Sequence, residues 1–371
     1  MTSPEQQHPA CENATQAHRQ AGLGKHPLFS VVIPAYKVER YLETTLQSVY
    51  RQTEEDFEII VVDDGSPDGT ADILRRQTDP RLHVIRQENQ GECAARNRGM
   101  REARGTYIAL LDADDAWRPN HLELARRALE AYPEYGWYAS RLHRVVAEEL
   151  MSGDFDRMVP CHQLEAVNWY LEGCQHMLPS CVVMRSKIAE GTDLFPPGVR
   201  MFGDNIGFSR LCRRHPMLLL SDAQTMIYLD RTTSATGIYR QTGFGSTSGV
   251  ELDALRLHQA LAAEPECSRE AKLMYRHFSL TNWWMRISSA TLIGWLPEVS
   301  ERRPLTGAGC TIWLKLFCCI NHLVCRAMRW GIRRRINSLR RTMNRLAAEQ
   351  RVVLEPPPGS SAPVSSDHPT P

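Results

Sequence analysis

The chain has 371 residues, more than the roughly 250 to 300 that one hydrophobic core usually serves, so one large unit with a smaller appendage is expected. Forty-four Lys and Arg against 43 Asp and Glu leave a formal net charge of +1, which argues against a chain-wide electrostatic grip on nucleic acid or an acidic polymer. The 11 cysteines form no C-x-x-C pair and have no histidine at ligand spacing, which argues against a zinc or disulfide framework and for a reducing compartment.

Residues 1–27 mix Pro, Gln, His and Asn without apolar periodicity and read as a disordered leader. No basic stretch followed by an apolar core begins the sequence, so the cytoplasm is the expected location. From Phe29 to Asp115, short β-branched runs alternate with amphipathic stretches. Strands are predicted at Phe29–Ala35, Phe57–Asp63, Leu82–Ile85 and Tyr107–Asp112, with helices over Val38–Tyr50, Thr70–Arg76 and Cys93–Ala103 between them. Continuous apolar runs with helices between them indicate a doubly wound α/β sheet, buried on both faces and mostly parallel. Asn120–Tyr132 reads as a further helix with Asn120 as its cap, and Gly136–Arg144 as another strand. A Gly/Ser-rich stretch near Gly243–Gly249 divides a domain over 28–243 from a helical C-terminal region over 244–355, and 356–371 is a Pro/Ser-rich tail.

Sheets of this kind bind ligands at the carboxyl ends of their strands. Here those ends are Pro34-Ala35-Tyr36, Asp63-Asp64-Gly65-Ser66 and Asp112-Ala113-Asp114-Asp115. No glycine fingerprint follows the first strand and no P-loop occurs, which argues against dinucleotide oxidoreductases and P-loop enzymes. Crowded carboxylates suit Mg²⁺ or Mn²⁺, hard cations that take oxygen ligands and leave positions for a diphosphate. An acidic loop whose aspartates cap the next helix is the competing reading. Asp64 is placed to accept from a base or ribose, whereas Ser66–Thr70 reads as a turn capped by Asp68. Arg96, in Asn89-x-Gly91-x-x-x-Ala95-Arg96-Asn97-x-Gly99, can bring a guanidinium near phosphates, or be a solvated helix arginine.

Taken in order, these loops and Asp112-x-Asp114-Asp115-x-Trp117-x-Pro119 resemble glycosyltransferase family 2, densely over Phe29–Tyr132 and sparsely over Leu178–Ser234. The resemblance implies a GT-A fold, a nucleotide-diphosphate sugar donor and inversion at the anomeric carbon, with UDP preferred by family frequency alone. It implies that Pro34, Ala35, Tyr36, Asp64, Arg96, Asp112 and Asp114 line the donor, that Asp114 and Asp115 hold the metal, and that Arg231 reaches the diphosphate. The family's base, the Asp of a Glu-Asp pair before Arg-Leu, corresponds to Asp204, with Gly203 where the Glu would stand and Arg210-Leu211 following.

The segment Thr311–Arg345 is apolar at first and then carries Arg333, Arg334, Arg335, Arg340, Arg341 and Arg345. Lys315 and Arg326 make it a poor spanning helix. Peripheral attachment to an anionic membrane surface and a core helix followed by a solvated basic one are both open.

The expectation for the whole is transfer of one sugar to a glycan or lipid-linked acceptor in surface polysaccharide synthesis. A non-catalytic sugar-nucleotide-binding protein and a metal-dependent nucleotidyltransferase are the alternatives.

Overall fold

A computed structural model describes residues 26–152, 157–172, 177–191, 193–199, 203–229, 268–277, 280 and 330–356. Strand and helix alternate through the first part: β1 (Phe29–Ala35), α1 (Leu42–Tyr50), β2 (Phe57–Asp63), α2 (Thr70–Arg76), β3 (Leu82–Arg86), α3 (Glu92–Glu102) and β4 (Tyr107–Leu110). Every residue of β1, β2 and β4 is buried, as Val- and Ile-rich strands covered on both faces should be. β1 pairs in parallel with β2 and β4, and β2 with β3, so the loops after all four strands open on one edge.

The chain continues through β5 (Ala116–Trp117), α4 (His121–Ala131), β6 (Trp137–Val145), α5 (Ala147–Ser152), β7 (Leu164–Val167), α6 (Trp169–Glu172), β8 (Val182–Arg185), α7 (Gly203–Cys212) and β9 (Met217–Leu229). Helices α8 over 269–277 and α9 over 330–350 follow, then β10 (Val352–Leu354). The sheet order is β10-β7-β9-β6-β8-β4-β1-β2-β3, with β5 on β9. The expected α/β sheet is therefore present, but its second half is mixed. β8 runs antiparallel to β4 and β6, and β7 antiparallel to β9.

The division near residue 243 lies outside the described residues. The C-terminal elements within them nevertheless pack on the same sheet. Ala271, Met274, Met343 and Leu346 share a buried cluster with Val32, Ile108 and Leu110, and β10 pairs with β7.

The acidic loop after β4 is held by one face of α1. Thr45 Oγ1 donates to Ala113 O (3.0 Å), Ser48 Oγ accepts from Trp117 N (3.2 Å), and Gln52 Nε2 donates to Arg118 O (2.8 Å). Thr45 and Ser48 stand three residues apart on one side of α1, and Gln52 follows two residues beyond its end. Gln52 Oε1 also accepts from Leu122 N (3.0 Å), satisfying a donor in the first turn of α4.

This changes the expected capping. Asn120 stands at the cap position but makes no capping bond, because its side chain donates to Val159 O (2.8 Å) instead. For α2 the cap position is Gly69, and Asp68 acts one residue earlier, accepting from Thr70 N (3.2 Å) and Thr70 Oγ1 (2.6 Å).

Replacing Gln52 by Ala removes at once its bonds to Ser48 O, Arg118 O and Leu122 N. Urea unfolding should show a loss of about 2–3 kcal/mol. A loss below about 0.5 kcal/mol would mean that α1 does not carry the acidic loop.

Candidate active site

The loops after β1, β2, β3 and β4 are joined by a continuous set of polar contacts. Pro34 and Ala35 are buried at the end of β1, while Tyr36 just beyond is 43% exposed. Lys37 follows in the left-handed region (φ 56°), a conformation uncommon for a residue with a side chain, and its N–H donates to Ser66 Oγ (3.2 Å). After β2, Asp63 accepts from Ser66 N (2.9 Å) and pairs with Arg86 (3.0 Å).

Asp64 is buried and turned toward the loop after β3. Its carboxylate accepts from Gln87 Nε2 (2.8 Å), Gln90 N (2.9 Å) and Gly91 N (2.8 Å). A carboxylate has room for about four donors, so one position is left for a ligand. Gly65 (φ 71°) makes this approach possible, since a Cβ there would lie 3.1 Å from Asn89 N.

The loop so held leads into α3, whose Arg96 is 1% exposed. Its Nη2 donates to Asp112 Oδ1 (2.7 Å) and also contacts Glu92 Oε1, while the guanidinium carbon lies 4.9 Å from the Phe195 ring centre. The Nε has no partner among the described residues. Arg96 is thus an internal counter-charge with one donor to spare, and the solvated-arginine reading does not hold.

Within the acidic loop the three aspartates differ. Asp112 is 24% exposed and Asp114 is also half-buried, whereas Asp115 is buried. Asp115 Oδ2 accepts from Ser180 Oγ (2.6 Å) and Oδ1 from Leu229 N (3.3 Å). Ser180 Oγ accepts in turn from Asp112 N (3.0 Å), so one hydroxyl ties the two acids together. Burial pushes Asp112 above the usual carboxylate range; Glu92 and Asp114 add to this and Arg96 opposes it. Burial also raises Asp115 strongly, reinforced by Asp114 and Asp112. Fully ionised, the loop would carry more negative charge than Arg96 offsets, and its buried carboxyls hold their protons more tightly for that reason too. That surplus suits a divalent cation, and the residues present fit one. Among the described residues no group of three or more His, Cys, Asp and Glu converges as a ready cage. Mg²⁺ and Mn²⁺ sites built on one or two carboxylates, completed by water and substrate phosphates, need none.

Asp204 lies half-buried in the first turn of α7. Burial raises its carboxyl, hydrogen bonding from the backbone of Asn205 opposes this, and the charges of Glu92 and Arg96 both reach it. Asp204 adjoins Gly203, which packs directly on Cys93 of α3, the residue after Glu92. That packing explains Gly203: a Cβ added there would overlap Cys93 Sγ from α3. Arg231 lies outside the described residues.

Sequence reasoning missed Glu92 and Ser180. Glu92 stands four residues before Arg96 at the start of a helix, a spacing that could have signalled the pair. Ser180 precedes β8 and carries no local signal.

Residues 30–191 match the model of the family described as Glycosyl transferase family 2. That segment belongs to glycosyltransferase family 2. A putative teichuronic acid biosynthesis glycosyltransferase, TuaG of Bacillus subtilis (strain 168), is 45% identical over 100 residues, 26% of this chain and 40% of the relative. The chain thus spans well under half the length of that relative. Among solved structures, Staphylococcus aureus TarS 1–349 in complex with UDP-GlcNAc superposes with a TM-score of 0.56 at 19% identity, covering 71% of this chain and 76% of that one. The mannosyltransferase PcManGT from Pyrobaculum calidifontis, in complex with GDP-Man and Mn²⁺, gives 0.51 at 16% identity over 91% and 92%. At these identities the likeness shows the fold of the family 2 domain, as the resemblance implied.

Gly203→Ala should cost about 1–3 kcal/mol by overpacking against Cys93. Adding Cys93→Ala should recover at least about half of that in a double-mutant cycle. Simple additivity of the two changes would show that α3 and α7 are not in register here.

Proposed function

We propose that this chain is an inverting glycosyltransferase that moves one sugar from a nucleotide-diphosphate sugar to a hydroxyl of a glycan or lipid-linked acceptor, in surface polysaccharide synthesis. The observation that carries the reading is the buried Arg96 paired with Asp112 and Glu92 after β4, with the start of α7, where half-buried Asp204 stands, packed through Gly203 on Cys93 beside Glu92.

Each residue has a distinct task. Tyr36 and the remaining acceptor position of Asp64 hold the base and ribose, on the backbone of Pro34 and Ala35. The resemblance puts the metal on Asp114 and Asp115; because Asp115 is buried against Ser180 Oγ and Leu229 N, we assign it instead to the outward pair, Asp112 and Asp114, which would hold Mg²⁺ or Mn²⁺ with Asp115 braced behind them. Bound there, the cation offsets charge on the diphosphate. Arg96 keeps Asp112 in place and offers its spare Nε–H on the donor side. Asp204 is the base: a carboxyl raised by burial is a stronger proton acceptor than an exposed one. It takes the acceptor hydroxyl proton as that oxygen attacks the anomeric carbon. The bond to the diphosphate breaks on the opposite face, and its electrons leave with the diphosphate oxygen. Arg231 is a further candidate for that leaving group.

TarS with UDP-GlcNAc supports a UDP donor, and PcManGT with GDP-Man and Mn²⁺ supports the cation. Because the two bind different nucleotides, the base is assigned to UDP by the first alone. A non-catalytic sugar-nucleotide-binding protein is the second reading, favoured by the absence of room for any side chain at 203.

Asp204→Asn separates the two. Transfer should fall about 100- to 10,000-fold while donor affinity, by calorimetry, stays within about twofold. An equal loss of donor affinity would show that Asp204 is not the base, and a wild-type chain without transfer to any acceptor would leave only binding.

The raised carboxyls set the pH dependence. Since folding raises Asp112 and Asp115, their contribution favours the metal-free fold at low pH and is lost as pH climbs through their raised values. A cation held by Asp112 needs that carboxyl ionised, so stabilisation by Mn²⁺ plus UDP should be small near about pH 5.5 and grow toward about pH 7.5 in thermal unfolding. Equal shifts at both would place the cation elsewhere.

A further inference from the structure

Helix α9 divides into two stripes. Ile332, Ile336, Met343 and Ala347 are buried, at steps of 4, 7 and 4 residues, the last two in one cluster with Ala271 and Met274 of α8. Trp330, Arg334, Arg341 and Arg345 repeat the same steps and are all exposed. Displacing the pattern by two residues rotates it by roughly 200°, so the second stripe lies almost diametrically opposite the docked one. It forms a straight ridge about 22 Å long.

The ridge is basic without local compensation. Six arginines in 330–350 face one acid, Glu349, in a chain whose net charge is only +1. Glu349 reaches Arg345 at 3.8 Å, and among the described residues no carboxylate pairs with Arg333, Arg334, Arg335, Arg340 or Arg341. Trp330, 65% exposed, ends the ridge with the Arg334 guanidinium 5.4 Å from its ring centre.

We propose that this ridge docks the protein on an anionic lipid bilayer, lying flat on the headgroups. Arginines in a line on one outward face bring their charges to a plane together, and an indole at the end suits the headgroup layer. The residues before it, 311–329, add Trp, Leu, Phe, Ile and Val interspersed with Lys315 and Arg326. That composition favours lipid over nucleic acid, which is bound through charge with interleaved stacking aromatics. The apolar face of α9 is committed to the protein core, so attachment is electrostatic and the helix does not insert. No described helix is long and apolar enough to cross a membrane. Docking rests on α9 alone and is independent of the transfer assigned above.

The test is sedimentation of the full chain with phosphatidylcholine vesicles, with and without about 30% phosphatidylglycerol. Binding is expected to the anionic vesicles alone and to fall with salt. The triple variant Arg334→Gln, Arg341→Gln, Arg345→Gln should lose on the order of 100-fold in partitioning with its circular dichroism unchanged. Arg333→Gln with Arg335→Gln, which flank the ridge, should lose less than Arg334→Gln with Arg341→Gln. Equal binding to neutral vesicles, full binding by the triple variant, equal loss in the two pairs, or tighter binding to a DNA duplex would each overturn the proposal.

Discussion

The site depends on one buried cation. Arg96 is enclosed between the acidic loop and the Phe195 ring, and it is the charge that offsets Asp112 at the end of β4 and Glu92 at the start of α3. A guanidinium taken out of water costs several kcal/mol unless paired, and here Asp112 and Glu92 supply the pairing. Glu92 remains 61% exposed, so the pair is not sealed from solvent. Charge is left in slight excess on the acidic side, a state that favours a cation over a second arginine.

Positioning is carried by groups that have no role in chemistry. One polar face of α1 fixes the acidic loop from below, and Ser180 fixes it from β8. Asp64 spends most of its bonding on the loop before α3, so it acts first as a brace. The same carboxylates that read as ligands in the sequence thus build the walls of the site, and only the half-buried ones face outward.

Much of this was legible. The Val- and Ile-rich runs and the order of the loops after them predict the parallel half of the sheet, because buried parallel strands have a composition unlike anything else. The mixed half was not. β10 is three residues long, too short for periodicity, and its pairing with β7 spans most of the second half of the chain. Thr45, Ser48 and Gln52 carry no signal of their own, since a buried polar residue is identifiable only once its partner is known. Asn120 shows the reverse: the right residue at the cap position found a better partner in Val159.

β7 pairs on one side with β9 and on the other with β10, whose residues 352–354 are translated long after the rest of the sheet. During synthesis β7 is therefore an open edge, with unpaired amides available to any passing strand. A nascent chain stalled before Arg351 would present that edge to its neighbours on the ribosome. Arrival of β10 and protection of that edge from aggregation are in this fold the same event.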